Sequence, residues 1–152
     1  MTYATADAQR QMLVSIADAT EQLGAALASL GEAYEQLDER SADRLEAELF
    51  RPLQIAYGRA QRAHNGFAER TGLPSRAFQP HPASAPAGGP KVLLAAALEA
   101  VDQADRGLAE LQDTLLPVEV GDAELRAGLS GVRELLGGLH ARARELVRTL
   151  GR

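Results

Sequence analysis

Apolar residues return along this chain at the spacing of an α-helix. Between Met12 and Leu37, Ile16, Leu23, Leu30 and Leu37 recur every seven residues, with Leu13, Leu27 and Tyr34 beside them, so one stripe of a helix turns inward. That pattern predicts helix A over about residues 5–39. Ser41 is a suitable N-cap for helix B, over about 42–71, whose inward face carries Leu45, Leu49, Leu53, Ala56, Ala60 and Phe67 and which stops at Gly72 and Pro74. Pro52 lies inside it and predicts a kink near residues 48–52. Helix C is expected over about 91–116, with Leu94, Val101, Leu108 and Leu115 in register and Pro117 as terminator. Helix D, over about 122–150 with Asp122 as cap, keeps an a/d spacing through Leu125, Leu129, Val132, Leu136, Leu139, Ala143, Leu146 and Leu150.

Residues 73–90 carry five prolines and two glycines, which suits neither a helix nor a central strand. The expectation is therefore an all-α chain, one domain over 1–152: an antiparallel four-helix bundle of two helical hairpins joined by a long Pro/Ala/Gly-rich loop. The segments ADRLEAEL (42–49) and DAELRAGL (122–129) align, as duplication of a hairpin would leave them.

Charge sorts by helix. Helix A holds seven acidic residues against one basic, and helix C five against two; helices B and D each hold five basic against four acidic. On B the stripe opposite the core is Arg51, Arg59, Arg62 and Arg70, and on D it is Arg126, Arg133, Arg144 and Arg148. Over all 152 residues the formal charge is −5, which disfavours a general affinity for nucleic acid or anionic lipid. Fifteen of the sixteen basic residues are arginine, a bias that fits a GC-rich bacterial source.

Most catalytic chemistries lack their residues. There is no cysteine, hence no thiolate nucleophile, disulfide or cysteine zinc site. The three histidines, at 64, 81 and 140, have no metal-ligand spacing, and no Glu-x-x-His exists for a di-iron site. Phosphate-binding glycine loops and a nucleophile elbow are missing too. No metal, no cofactor and no enzymatic activity are expected. The longest apolar run, Val92 to Leu98, is too short to span a bilayer, and MTYATADAQRQ lacks the layout of a secretory signal, so the expected location is cytoplasmic.

Two places remain for binding. Phe50, Tyr57 and His64 form a heptad line at the edge of helix B's apolar face, where the simplest reading is aromatic bodies with wet tips. The core line of helix C is interrupted by Asp105 and Gln112. Were B and C antiparallel neighbours, Tyr57 would stand level with Asp105 and Phe50 with Gln112, closing the polar end of a small-molecule pocket. Phe78, in the proline loop, is placed to fold over that edge. The second place is Ile55, an apolar residue among Arg51, Arg59 and Arg62, as in a small protein-binding patch. The first functional expectation is thus a non-enzymatic interaction module that binds protein or self-associates, and the second a bundle with a ligand pocket at Tyr57 and His64. A third, a leaderless secreted helical protein, follows from YEQLD (34–38), which resembles the Tyr-x-x-x-Asp/Glu signal of type VII secretion substrates. That family's Trp-x-Gly turn is absent, because the chain has no tryptophan, and the tyrosine sits at the end of the first helix.

Overall fold

A computed structural model describes residues 3–79 and 85–150, and all regular structure within them is helical. The elements are α1 (Tyr3–Gln36), α2 (Glu39–Leu45), a π-turn (Glu46–Phe50), α3 (Arg51–Thr71), α4 (Pro90–Asp113), α5 (Leu116–Glu119), α6 (Ala123–Gly137) and α7 (Leu139–Leu150). Among the described residues no helix is long and apolar enough to cross a membrane.

The breaks between helices follow from side chains that compete for backbone groups. Helix A stops at Gln36, short of the expected 39, because Asp38 takes over as the next N-cap: its carboxylate accepts from Ser41 N–H at 2.8 Å. That hydrogen bond holds the Asp38 carboxyl below the usual carboxylate range. Ser41, expected as the cap, is the donor instead. Tyr34, near the new end, is 38% exposed and leaves the core.

The irregularity expected from Pro52 near residues 48–52 takes the form of a π-turn over Glu46–Phe50. Arg51 N–H reaches Glu46 O there, so the helix runs on from Glu39 to Thr71 in right-handed geometry. A π-turn adds a residue ahead of the ring and relieves its clash with the carbonyl four residues back. At the far end Gly72 takes φ 72°, while Leu73 N–H bonds Ala68 O at 2.8 Å. This is a Schellman termination, and it sends the following strap back along α3.

Pro117 likewise takes a different role. The helix ends at Asp113, Thr114 accepts from Leu116 N–H through its hydroxyl, and Pro117 opens the single turn of α5. Leu115, expected on the core line, is 66% exposed in consequence. Helix D is divided at Gly138 into α6 and α7, yet Leu125, Leu129, Val132, Leu136, Leu139, Ala143 and Leu146 are all buried. The apolar register survives the break. The two segments that align in sequence differ in backbone: 42–49 crosses from α2 into the π-turn, whereas 122–129 is a cap and the opening of α6.

Long-range bonds fix which ends meet. Gln9, near the start of α1, donates to Val120 O beyond α5, and Gln36, at its end, donates to Gly88 O just before α4. α1 and α4 therefore run in opposite directions along one another, and their contact is the most extensive in the molecule. Arg70, at the end of α3, grips Asp122, the cap of α6, so these two also run oppositely. α3 packs on α1 and α6, α4 also touches α6 and α7, and α3 and α4 make no substantial contact with each other.

The core that results is dense. Its all-apolar central void, between Leu30, Leu53, Leu94 and Leu139, is about 10 Å³, room for no more than one water.

The Arg70–Asp122 pair is bidentate, at 2.6 and 3.0 Å, while the same carboxylate caps α6 through Leu125 N–H at 2.8 Å. The guanidinium, helped by that cap, holds the Asp122 carboxyl below its ordinary value. A depressed folded-state pKa means that the stabilisation is present above the ordinary value of 3.8 and is lost as pH falls through the lower, folded one. Asp122→Asn is expected to lower the urea midpoint at neutral pH, and its midpoint should converge on the parent's during acid titration. Parallel curves across that window would contradict this role.

Candidate functional site

The two acidic helices pack on each other, while the arginine-rich α3 packs on α6, whose two arginines and two glutamates balance. α1 and α4 share a groove of about 430 Å³ with Asp18 and Glu110 on its walls, while Asp7, Glu32, Glu99 and Asp113 are exposed along the same helices. α3 and α6 share a second groove, of about 460 Å³, walled by Arg59, Arg62 and Arg70 and floored by Ala63, Gly66, Gly128 and Gly131. A methyl on Gly128 would meet Ala63 Cβ at 3.3 Å, so small residues set how closely the two helices approach.

Within the second groove Arg70 is bound to Asp122 and Glu124. Arg59 and Arg62 form no ion pair with any described carboxylate and are exposed. Ile55, one turn before Arg59, is 49% exposed. Arg51 reaches Glu46 only at 4.0 Å, from an exposed position. The three arginines expected around Ile55, and Ile55 itself, are thus on the surface.

The proposed pairing of Tyr57 with Asp105 does not occur. α3 and α4 both run opposite to their shared neighbours and do not face each other, so Asp105 finds its donor elsewhere: Arg133 of α6, whose Nε lies 2.9 Å from its carboxylate. Gln112 accepts from the same guanidinium at 2.8 Å and donates to Ser130. Arg133, expected on the outer stripe of helix D, turns toward α4 to do this. Asp105 and Gln112 are therefore half of an interhelix clasp, and neither lies near Phe50.

Tyr57 and His64 are more buried than edge residues, at 7% and 4% exposure. Phe50, also expected in this line, packs half-buried against the core at the end of the π-turn. The Tyr57 ring faces α1, where a methyl on Gly24 would touch it at 3.4 Å. Its hydroxyl makes no hydrogen bond to a described residue, and burial pushes its pKa up, so it remains a protonated donor.

His64 is closed over by the strap 73–79. Phe78 meets the imidazole edge-on, with ring centroids 5.2 Å apart, and the Arg76 guanidinium lies 5.1 Å above the Phe78 ring. Asn65 clamps the strap from below: its amide donates to Arg76 O at 2.8 Å and accepts from Arg76 N–H at 2.9 Å. Arg76 also pairs with Glu21 of α1. What remains between strap and helices is a pocket of about 240 Å³ lined by Glu21, Tyr57, Arg76, Ala77, Phe78 and Gln79.

Phe78 covering the aromatic edge follows the expectation from sequence. Glu21, Asn65 and Arg76 were not anticipated; the only local signal was the backbone-mimicking amide of Asn65 next to a proline-rich segment. His140 stands 3.3 Å from Asp102 on the surface, and His81 lies outside the described residues. Among the described residues no cluster of three or more histidine, aspartate or glutamate side chains could hold a metal ion. No protein-family model matches the chain, and no curated protein or solved structure matches it.

Proposed function

We propose that these helices form an antiparallel four-helix bundle that acts by binding protein, as a non-enzymatic interaction module. Its docking surface is the arginine groove between α3 and α6, and its first partner is the acidic α1/α4 face of a second copy. The observation that carries this reading is the pair Arg59 and Arg62, which no described carboxylate neutralises, beside the exposed Ile55. Uncompensated charge around a concave surface steers an oppositely charged partner into it, and an exposed apolar residue at its edge adds apolar burial once contact is made.

The groove of α1 and α4 offers that complement, with Asp18 and Glu110 on its walls and a volume similar to that of the arginine groove. Because donor and acceptor faces differ, the contact is head-to-tail and adds copies one after another. Light scattering on the eluting protein, in a concentration series at low salt, should give a mass that rises with concentration. The mass should fall back to one chain at high salt, since a surface ion-pair interface is screened. Arg59→Glu with Arg62→Glu should abolish the rise. A single-chain mass at every concentration and salt would end the self-association reading, and association insensitive to the double reversal would place it on another face.

A further inference from the structure

The pocket beneath the strap has the makings of a ligand site independent of the charged faces. We propose that it binds a neutral, planar heteroaromatic molecule of nucleobase size, held by the Tyr57 hydroxyl and enclosed by the strap residues Arg76 to Gln79.

The argument starts from Tyr57. Its ring is buried, but its hydroxyl bonds to no described residue and is not one of the buried atoms left without a partner, so the oxygen is the accessible tip of the side chain. The side chain borders the pocket. The pocket has two aromatic rings in its wall, Tyr57 from α3 and Phe78 from the strap, which suits a flat molecule more than a branched aliphatic one.

Its charges are already matched. Glu21 and Arg76 pair with each other, and Arg76 is further fixed by Asn65 through its backbone. A charged ligand would have to break that pair; a neutral one meets the remaining donors and acceptors as they stand. Those are the Tyr57 O–H, the free lone pairs of Glu21 and the Gln79 amide, which together fit a ring bearing both a donor and an acceptor. At about 240 Å³ the space is smaller than the cavities that take drug-sized molecules. It corresponds to a single heterocycle with small substituents.

The strap also holds the site in shape before a ligand arrives. Gly72 reverses the chain and Asn65 sets the position of Arg76, so Phe78 arrives over His64 by a short, doubly anchored path. Preorganisation of this kind reduces the ordering cost of binding.

Adenine, titrated into the full chain labelled with nitrogen-15, is the probe. The expected result is a set of saturable amide shifts confined to Glu21, Tyr57 and Arg76 to Gln79. Tyr57→Phe removes a hydroxyl that no described residue uses, so it should leave thermal unfolding in place while weakening adenine by roughly tenfold, the loss of one hydrogen bond to a neutral ligand. Phe78→Ala, on the half-buried strap, should weaken it as well. The proposal is overturned if adenine produces no localised shifts, if Tyr57→Phe binds adenine as tightly as the parent, or if benzoate binds more tightly than adenine. The last result would show that the pocket selects a carboxylate through Arg76.

Discussion

Phe67→Ala is expected to lower the free energy of unfolding by about 3–5 kcal/mol, the range for truncating a fully buried phenylalanine. Phe67 is 1% exposed and is the largest of the fully buried side chains. It projects from α3, the helix that packs against both α1 and α6, between the buried His64 one turn before it and Ala68 beside it. His64 is held by Asn65 and Phe78, so it is not free to collapse into the vacated volume and a residual cavity should remain. The central core has almost no spare volume to lend. Phe67→Leu keeps most of the bulk and should cost less than about 1.5 kcal/mol. Urea unfolding of the three proteins, with m-values compared, checks both numbers. Equal midpoints for the alanine variant and the parent would mean that the α1–α3–α6 contact contributes little to stability. A changed m-value would mean that the variant is no longer a single compact state.

The helices were legible in the sequence because their signal is redundant. Many apolar positions at period 3.6 vote for the same stripe, and losing Leu115 or Tyr34 from it does not alter the outcome. Ends were less legible, for a local reason. Whether Asp38 or Ser41 caps α2 is a contest between two competent side chains three residues apart, and sequence offers no basis for choosing. The ring of Pro52 is by itself incompatible with a regular α-helical turn, so an irregularity at this point is legible in the sequence; its form, a π-turn over Glu46–Phe50 between the buried Leu45 and Leu53, is not.

Neighbour relations were the least legible of all. The buried faces of four helices do not say which pairs are adjacent, and an eighteen-residue connection between α3 and α4 leaves the order open. Tyr57 therefore meets a different neighbour from the expected one, and it sits deeper than the edge position its heptad line predicts. Asp105 was rightly identified as needing a donor; the donor, Arg133, had been assigned to solvent because its heptad position alone could not show that α4 stands beside it. The same placement gives the two opposed charged faces. Segment charges predict acidic and basic helices; the pairing of α1 with α4 joins the two acidic ones, whereas the break at Gly138 leaves most of helix D's arginines in α7, so the arginines facing the α3/α6 groove come from α3.

Gly121→Ala is the substitution for which geometry predicts the sharpest local failure. A Cβ built there lies 2.4 Å from the carbonyl oxygen of Pro117 and 3.0 Å from its Cα, so the obstruction is backbone and cannot rotate away. Relief requires the single turn of α5 to open, and that turn is held at several points. Gly121 N–H bonds Leu116 O, Arg126 donates to Pro117 O at 3.1 Å, and Gln9 of α1 donates to Val120 O at 3.3 Å. Opening it would separate α1 from the start of α6 and disturb the Asp122 cap one residue further on. Overpacking against fixed backbone costs about 1–3 kcal/mol, and the lost cap and side-chain bonds add to it; the expected total is about 3 kcal/mol or more. The damage should also be directional. Amide hydrogen exchange should accelerate in α5, the first turn of α6 and around Gln9, while α2 and the π-turn, at the opposite end of α3 from Arg70 and the Asp122 cap, keep their protection. Uniform acceleration would instead identify the α5 turn as a point on which the cooperative unfolding of the whole molecule depends.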